Sequence, residues 1–173
     1  MKNNNKIFLG EFIASCFLVM VIVGSGIMAE NLTNDNAIRL LANTIATGAG
    51  LFVLITAFAN ISGAHLNPFV SLSMYLTKRI KGKELLTFIP AQILGCLLGV
   101  MLANVFFEHS IIELSTKNRD GFHIFLSEIV ATFGLIFIIF ATLKDGKTTV
   151  AACVATYISC LLYTSPSPRD PKS

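Results

Sequence analysis

Between Leu40 and Thr77 the chain runs for 38 residues without an Asp, Glu, Lys or Arg. A helix rises about 1.5 Å per residue and a bilayer core is about 30 Å thick, so one crossing takes roughly 20 residues. The stretch is too long for one span and too short for two with a turn, so it holds one full crossing and something shorter. Other runs surround it. Ile7 to Ala29 is apolar except for Glu11, Leu85 to Phe107 carries no charge, Phe122 to Leu143 carries only Glu128, and a run from Thr148 fades after about 16 residues. The expectation is an all-α membrane protein with spans over about 7–29, 40–61, 85–107, 122–143 and 148–163. A signal peptide at the N-terminus is second to a span, because the first run is too long for an h-region and holds an acid. Hydrophobic residues make up 54% of the chain and charged ones 13%, with mean hydropathy +0.71, which excludes a disordered chain, a nucleic-acid-binding domain and most soluble enzymes.

The formal charge of +3 is explained by topology rather than by a ligand. With the N-terminus inside, Lys2, Lys6, Lys78, Arg79, Lys81, Lys83, Lys144 and Lys147 fall on the cytoplasmic side, against Arg39, Lys117 and Arg119 outside. That bias predicts a multi-pass protein of the cell's inner or plasma membrane with a cytoplasmic N-terminus. It holds only if Leu40–Thr77 crosses once, so the second part of that stretch must enter and leave from the same side. Cys16, Cys96, Cys153 and Cys160 are widely spaced within apolar runs, giving neither a disulfide framework nor a CxxC metal site. His109 and His123 have no third ligand near them in sequence and receive no role, so no metal and no cofactor is expected.

Placing Glu11 over Glu128 aligns Glu-Phe-Ile-Ala-Ser-Cys-Phe-Leu with Glu-Ile-Val-Ala-Thr-Phe-Gly-Leu at an offset of 117 residues. Intramembrane acids are costly and rare, so two at matching span openings point to a duplication. Three spans separate the copies, an odd number, so the repeat is inverted. Within the re-entrant part, Ile61-Ser62-Gly63-Ala64-His65-Leu66-Asn67-Pro68 places a favoured N-cap before a residue favoured at the first helical position. A half-helix is therefore expected over 68–77, about 15 Å long, or half a hydrocarbon core. Ser62 to Leu66 would be irregular backbone, tolerated at membrane depth only where protein buries it or a watery cavity is lined by it. The half-helix start presents partial positive charge, and Asn67 offers amide donors, an arrangement that repels cations and guides neutral polar solutes.

The segment Ser-Gly-Ala-His-Leu-Asn-Pro at 62–68 resembles the first signature of the aquaporin and aquaglyceroporin channels, the major intrinsic proteins. The Glu-x-x-x-Ser/Thr repeat openings, Ala91-Gln92 with Gly95 and Gly99, the span order, the orientation and the inverted repeat agree with it, and the resemblance extends to about Ser159. It implies an aquaporin-like inverted-repeat bundle, not an enzyme, that passes water or small neutral solutes such as glycerol across the lipid bilayer as a homotetramer. By the same resemblance Asn67, Pro68 and Phe69 line the pore, Pro68 starting its half-helix, and Gly63, Ala64 and His65 supply carbonyls to the path. Glu11 and Glu128 would hold re-entrant loops. Thr47, twenty residues before Asn67, would stand at the outer constriction, where a polar residue favours glycerol-like solutes over strict water selectivity. Gly95 and Gly99 allow close helix packing. A Lys-, Asn- and Ile-rich composition suits a bacterial source.

Two features depart from the pattern. Phe69 stands where the signature usually has alanine, at the expected meeting point of two half-helices. The second Asn-Pro box, the arginine after it and the sixth span are absent, since no asparagine follows Asn118 and the chain passes into a Pro/Ser-rich segment ending at Ser173. The second repeat is thus incomplete, and residues 160–173 are expected to be a non-native or disordered tail on a C-terminally truncated sequence. A secondary transporter built on inverted repeats, or a non-conducting fragment, are the alternatives. With one half-helix the midplane dipole is unbalanced, so these 173 residues alone are not expected to form a selective pore.

Overall fold

The computed structural model describes residues 4–112 and 121–164. Lys2, Lys117, Asn118, Arg119 and the Pro/Ser-rich residues from 165 onward lie outside the described residues. Six helices follow one another: α1 (Asn4–Leu32), α2 (Asn36–Phe58), α3 (Pro68–Leu76), α4 (Gly82–Phe106), α5 (Phe122–Thr142) and α6 (Lys147–Thr164). Helices α1, α2, α4 and α5 are long and apolar enough to cross a membrane. The fold is therefore all-α, with the short α3 set between two full-length helices.

Helix ends depart from the apolar runs for local reasons. Helix α2 starts at Asn36 rather than at Leu40 because the Asp35 carboxylate accepts from the N–H groups of Ala37 (2.8 Å) and Ile38 (3.1 Å). Arg39 then folds back on the turn, donating to the carbonyls of Thr33 (2.6 Å) and Glu30 (3.2 Å). Apolarity marks what a bilayer covers, whereas capping marks where a helix begins. Helix α6 runs through Cys160, Leu161 and Leu162 to Thr164, close to the end of the apolar run.

Glycines set the closest packing. A Cβ on Gly95 would run into the carbonyl oxygen of Phe12, and one on Gly99 into that of Cys16, so α1 and α4 touch backbone to backbone. Small residues allow such approach, and van der Waals contact then holds the pair in a solvent as apolar as the side chains themselves. Asn43 adds a polar tie between α1 and α2, donating from Nδ2 to the Ile22 carbonyl (2.7 Å) and the Ser25 hydroxyl (2.9 Å). A second apolar cluster joins α2, α3, α5 and α6 through Leu51, Ile55, Val70, Met74, Leu135 and Val154. Outward, α5 exposes Phe122, Phe125, Phe133 and Phe137, a face suited to hydrocarbon rather than to water.

Candidate functional site

The site grows from the break between α2 and α3. After Phe58 the backbone turns, and Gly63 (φ 120°), Ala64 (φ 51°) and Leu66 (φ 50°) take left-handed conformations. For Ala64 and Leu66 each such conformation costs about 1–2 kcal/mol, because Cβ crowds the following carbonyl. Glu11 holds them there. Its carboxylate is fully buried and accepts four hydrogen bonds: from the Ser62 hydroxyl (2.6 Å) and the His65 N–H (3.1 Å) on Oε1, and from the Leu66 N–H (2.9 Å) and Gln92 Nε2 (2.9 Å) on Oε2. A carboxylate has about four acceptor positions, so both oxygens of Glu11 are fully engaged. Gly10, just before it, lies so close to Ser62 that a Cβ would stand 2.9 Å from the serine Cβ.

The loop's donors and acceptors are thereby sorted. The Gly63 N–H bonds to the Phe58 carbonyl (3.4 Å), Ala64 to the Ser62 hydroxyl (3.1 Å), and His65 and Leu66 to Glu11. Every N–H from Gly63 to Leu66 is used, while the carbonyls of Gly63, Ala64 and Leu66 accept nothing among the described residues. Gln92 extends the network by donating to Ser71 Oγ (3.1 Å), which also meets His65 Nδ1 (3.0 Å), and the His65 ring stacks on Phe88 at 4.1 Å. Asn67 caps α3, its Oδ1 accepting from Phe69 (2.8 Å) and Val70 (3.4 Å), and its Nδ2 donors meet no acceptor among the described residues.

Beside this strip lies a cavity of about 580 Å³. Gly63, Ala64, His65, Leu66 and Asn67 form its polar side, and Leu51, Ile55, Leu135, Ile139, Val150 and Val154 form much of the apolar side. Lys144 and Lys147 stand on its wall at the α5–α6 turn, and Thr47 also lines it, with a buried hydroxyl that has no hydrogen-bond partner. Pro68 and Phe69 are not on the cavity wall: Pro68 opens α3, and the Phe69 ring is 59% exposed on the helix surface. Gly63 to Asn67 of the signature thus gather on the lumen, while Ser62, Pro68 and Phe69 do not.

The two acids are unequal. Glu128 is exposed on α5, and among the described residues its carboxylate has no partner. The physical reason is plain: Glu11 faces a loop with inward N–H groups, and among the described residues none stands before Glu128. Three contributors were hidden in the sequence: Ser62, Ser71 and Gln92 complete the Glu11 network. The available signal was polarity itself, since a buried amide or hydroxyl in an apolar span needs a partner.

A bundle of membrane-crossing helices with a half-helix and a polar strip facing an apolar-walled cavity defines a pore-type membrane protein. The sequence profile of the major intrinsic proteins matches residues 1–165. Aquaglyceroporin AqpS of Rhizobium meliloti (strain 1021) is 41% identical over 155 residues, covering 90% of this chain and 66% of the relative. Aquaporin TIP1-2 of Musa acuminata is 37% identical over 149 residues, covering 82% and 58%. The X-ray structure of the aquaglyceroporin from Plasmodium falciparum superimposes with a TM-score of 0.76 at 21% identity, covering 94% of this chain and 73% of that one, and shows the fold alone. The chain belongs to the major intrinsic protein family. It spans from about half to about two thirds of the length of the curated relatives it matches.

Proposed function

We propose that this chain forms the cavity-bearing part of a passive channel for water and small neutral solutes such as glycerol. The sorting of the 63–66 loop carries the reading: its N–H groups are drawn onto Phe58, Ser62 and Glu11, and its carbonyls are left beside the cavity. A ladder of acceptors replaces part of a solute's hydration, and the Asn67 amide adds donors at the start of α3. Cations meet the positive end of α3 and no free acid, because Glu11 is saturated. Thr47 stands on the cavity wall with its hydroxyl buried, and in this reading its small side chain sets the width of the path there. Neither a nucleophile with a base nor a metal cluster forms part of this reading, so the protein is taken to be a channel and not an enzyme.

The names of the relatives support the same solute class, and the basic bias of the loops supports a cytoplasmic N-terminus in the cell membrane. A homotetramer with one pore in each subunit completes the reading. Glu11 acts as a structural acid, and Gly95 and Gly99 act in packing. Stopped-flow light scattering on proteoliposomes of the native protein tests it. Solute entry down its own gradient, unaffected by proton and sodium gradients, is expected; uphill accumulation driven by either gradient would identify a coupled transporter.

A further inference from the structure

At one end of the bundle the starts of α1, α4 and α6 meet the ends of α2, α3 and α5. Lys147 Nζ donates to Asn60 Oδ1 there, Arg79 lies 5.5 Å over the Phe140 ring, and Gly82 packs on Tyr75. This end is strongly basic: Lys6, Lys78, Arg79, Lys81, Lys83, Lys144 and Lys147 face only Glu84 and Asp145 among the described surface residues. Glu84 is already engaged, its Oε2 accepting the Lys81 N–H at 2.7 Å.

Between α1 and the end of α2 runs a trough of about 350 Å³, separate from the solute cavity. Leu9, Ile13, Phe58 and Ile61 form its walls, Gly10 its floor, and Lys6 and Asn60 its mouth. Leu9 and Ile61 are 57% and 45% exposed, so the trough opens to the outer surface of a membrane-spanning bundle. The Lys6 ammonium has no partner among the described residues, and Asn60 brings the Lys147 ammonium to the same mouth. An apolar slot with the Lys6 ammonium at its mouth, and the Lys147 ammonium beside it on Asn60, has the chemistry of a lipid acyl chain joined to an anionic headgroup. A free anion would leave the slot unused. A second copy of the chain would have to bring an acid, and of the two acids at this end Glu84 is already engaged.

We propose that the trough between α1 and α2 seats one anionic phospholipid, its acyl chain along Leu9, Ile13, Phe58 and Ile61 and its phosphate between Lys6 and Lys147. The seat lies directly behind the signature loop, since Gly10 on its floor packs against Ser62, the donor to Glu11.

These 173 residues contain no tryptophan, so Leu9→Trp adds a fluorescent reporter in the trough, read as the difference from the parent protein. The reconstituted Leu9→Trp protein is titrated with brominated phosphatidylglycerol and, separately, with brominated phosphatidylcholine. Quenching by the anionic lipid is expected at about fivefold lower mole fraction, the attraction of one basic side chain near an anionic surface. Adding Lys6→Gln removes the preference, while Lys83→Gln, with the same charge loss away from the trough, keeps it. Equal quenching by both lipids overturns the proposal. So does loss of preference in Lys83→Gln, which would mean a general surface field, and so does failure of either lipid to quench, which would mean that protein covers the trough. Where Leu9→Trp does not yield a monodisperse helical protein, Ile13→Trp reports from the opposite wall with the same criteria.

Discussion

Replacing Glu11 by glutamine removes one charge and turns one of two saturated oxygens into an N–H₂ group. With the new amide nitrogen in the Oε1 place, it faces the Ser62 hydroxyl, which can rotate to accept, and the His65 N–H, which cannot. In the Oε2 place it faces the Leu66 N–H and Gln92. Gln92 can respond there by flipping, because its Oε1 is buried without a partner, but doing so turns Nε2 away from Ser71. Either rotamer leaves at least one backbone N–H opposed to another donor. A stranded buried donor costs about 1–3 kcal/mol, and bonds to an uncharged oxygen are weaker than those to a carboxylate. We expect a loss of about 2–5 kcal/mol, a large share of the 5–15 kcal/mol typical of folded chains. In detergent this appears as a melting midpoint lowered by roughly 5–15 °C, taking about 2–4 °C per kcal/mol for a chain of this size. Glu128→Gln serves as the internal comparison, since its side chain is exposed and unpartnered among the described residues. Equal midpoints for the two variants would refute the claim that Glu11 holds the loop.

Asn67→Asp keeps an acceptor for the Phe69 and Val70 N–H groups but replaces the amide donors with charge; helix capping and midpoint should hold while solute flux falls roughly two- to tenfold, the worth of one hydrogen bond, as read by light scattering. Gly95→Ala and Gly99→Ala each push a methyl into α1 backbone and should cost about 1–3 kcal/mol or more in thermal melts, whereas Gly134→Ala meets the far end of the Tyr157 side chain, its hydroxyl and ring Cζ, rather than backbone and should cost less. Thr47→Phe fills the lumen beside the signature strip and should slow glycerol more than water in paired flux measurements.

Much of the fold was legible because a bilayer imposes lengths. The uncharged 38-residue stretch could be divided only one way, and Asn67-Pro68 marked the start of α3 through capping chemistry. Positions that depend on neighbours distant in sequence were not legible. Glu11 and Glu128 look alike in their local sequence, yet one is saturated by a loop 51 to 55 residues away and the other stands exposed. Gln92 reaches Glu11 across 81 residues, and nothing in its own helix announces that contact. Left-handed Ala64 and Leu66 contradict local preference, and the Glu11 network that pays for them is tertiary. Phe69 sits in the signature but off the cavity, because the turn of α3 brings Val70 and Met74 to the cavity wall and carries Phe69 to the exposed face.

The account stands most directly on solute flux through the native protein that carries this chain, compared with its Asn67→Asp variant in the same proteoliposomes. It predicts that glycerol equilibrates down its gradient at a rate proportional to the protein present, unchanged by collapsing proton and sodium gradients, and slowed in the variant at equal folded content. Glycerol accumulation against its gradient, or a variant as fast as the parent, would contradict it.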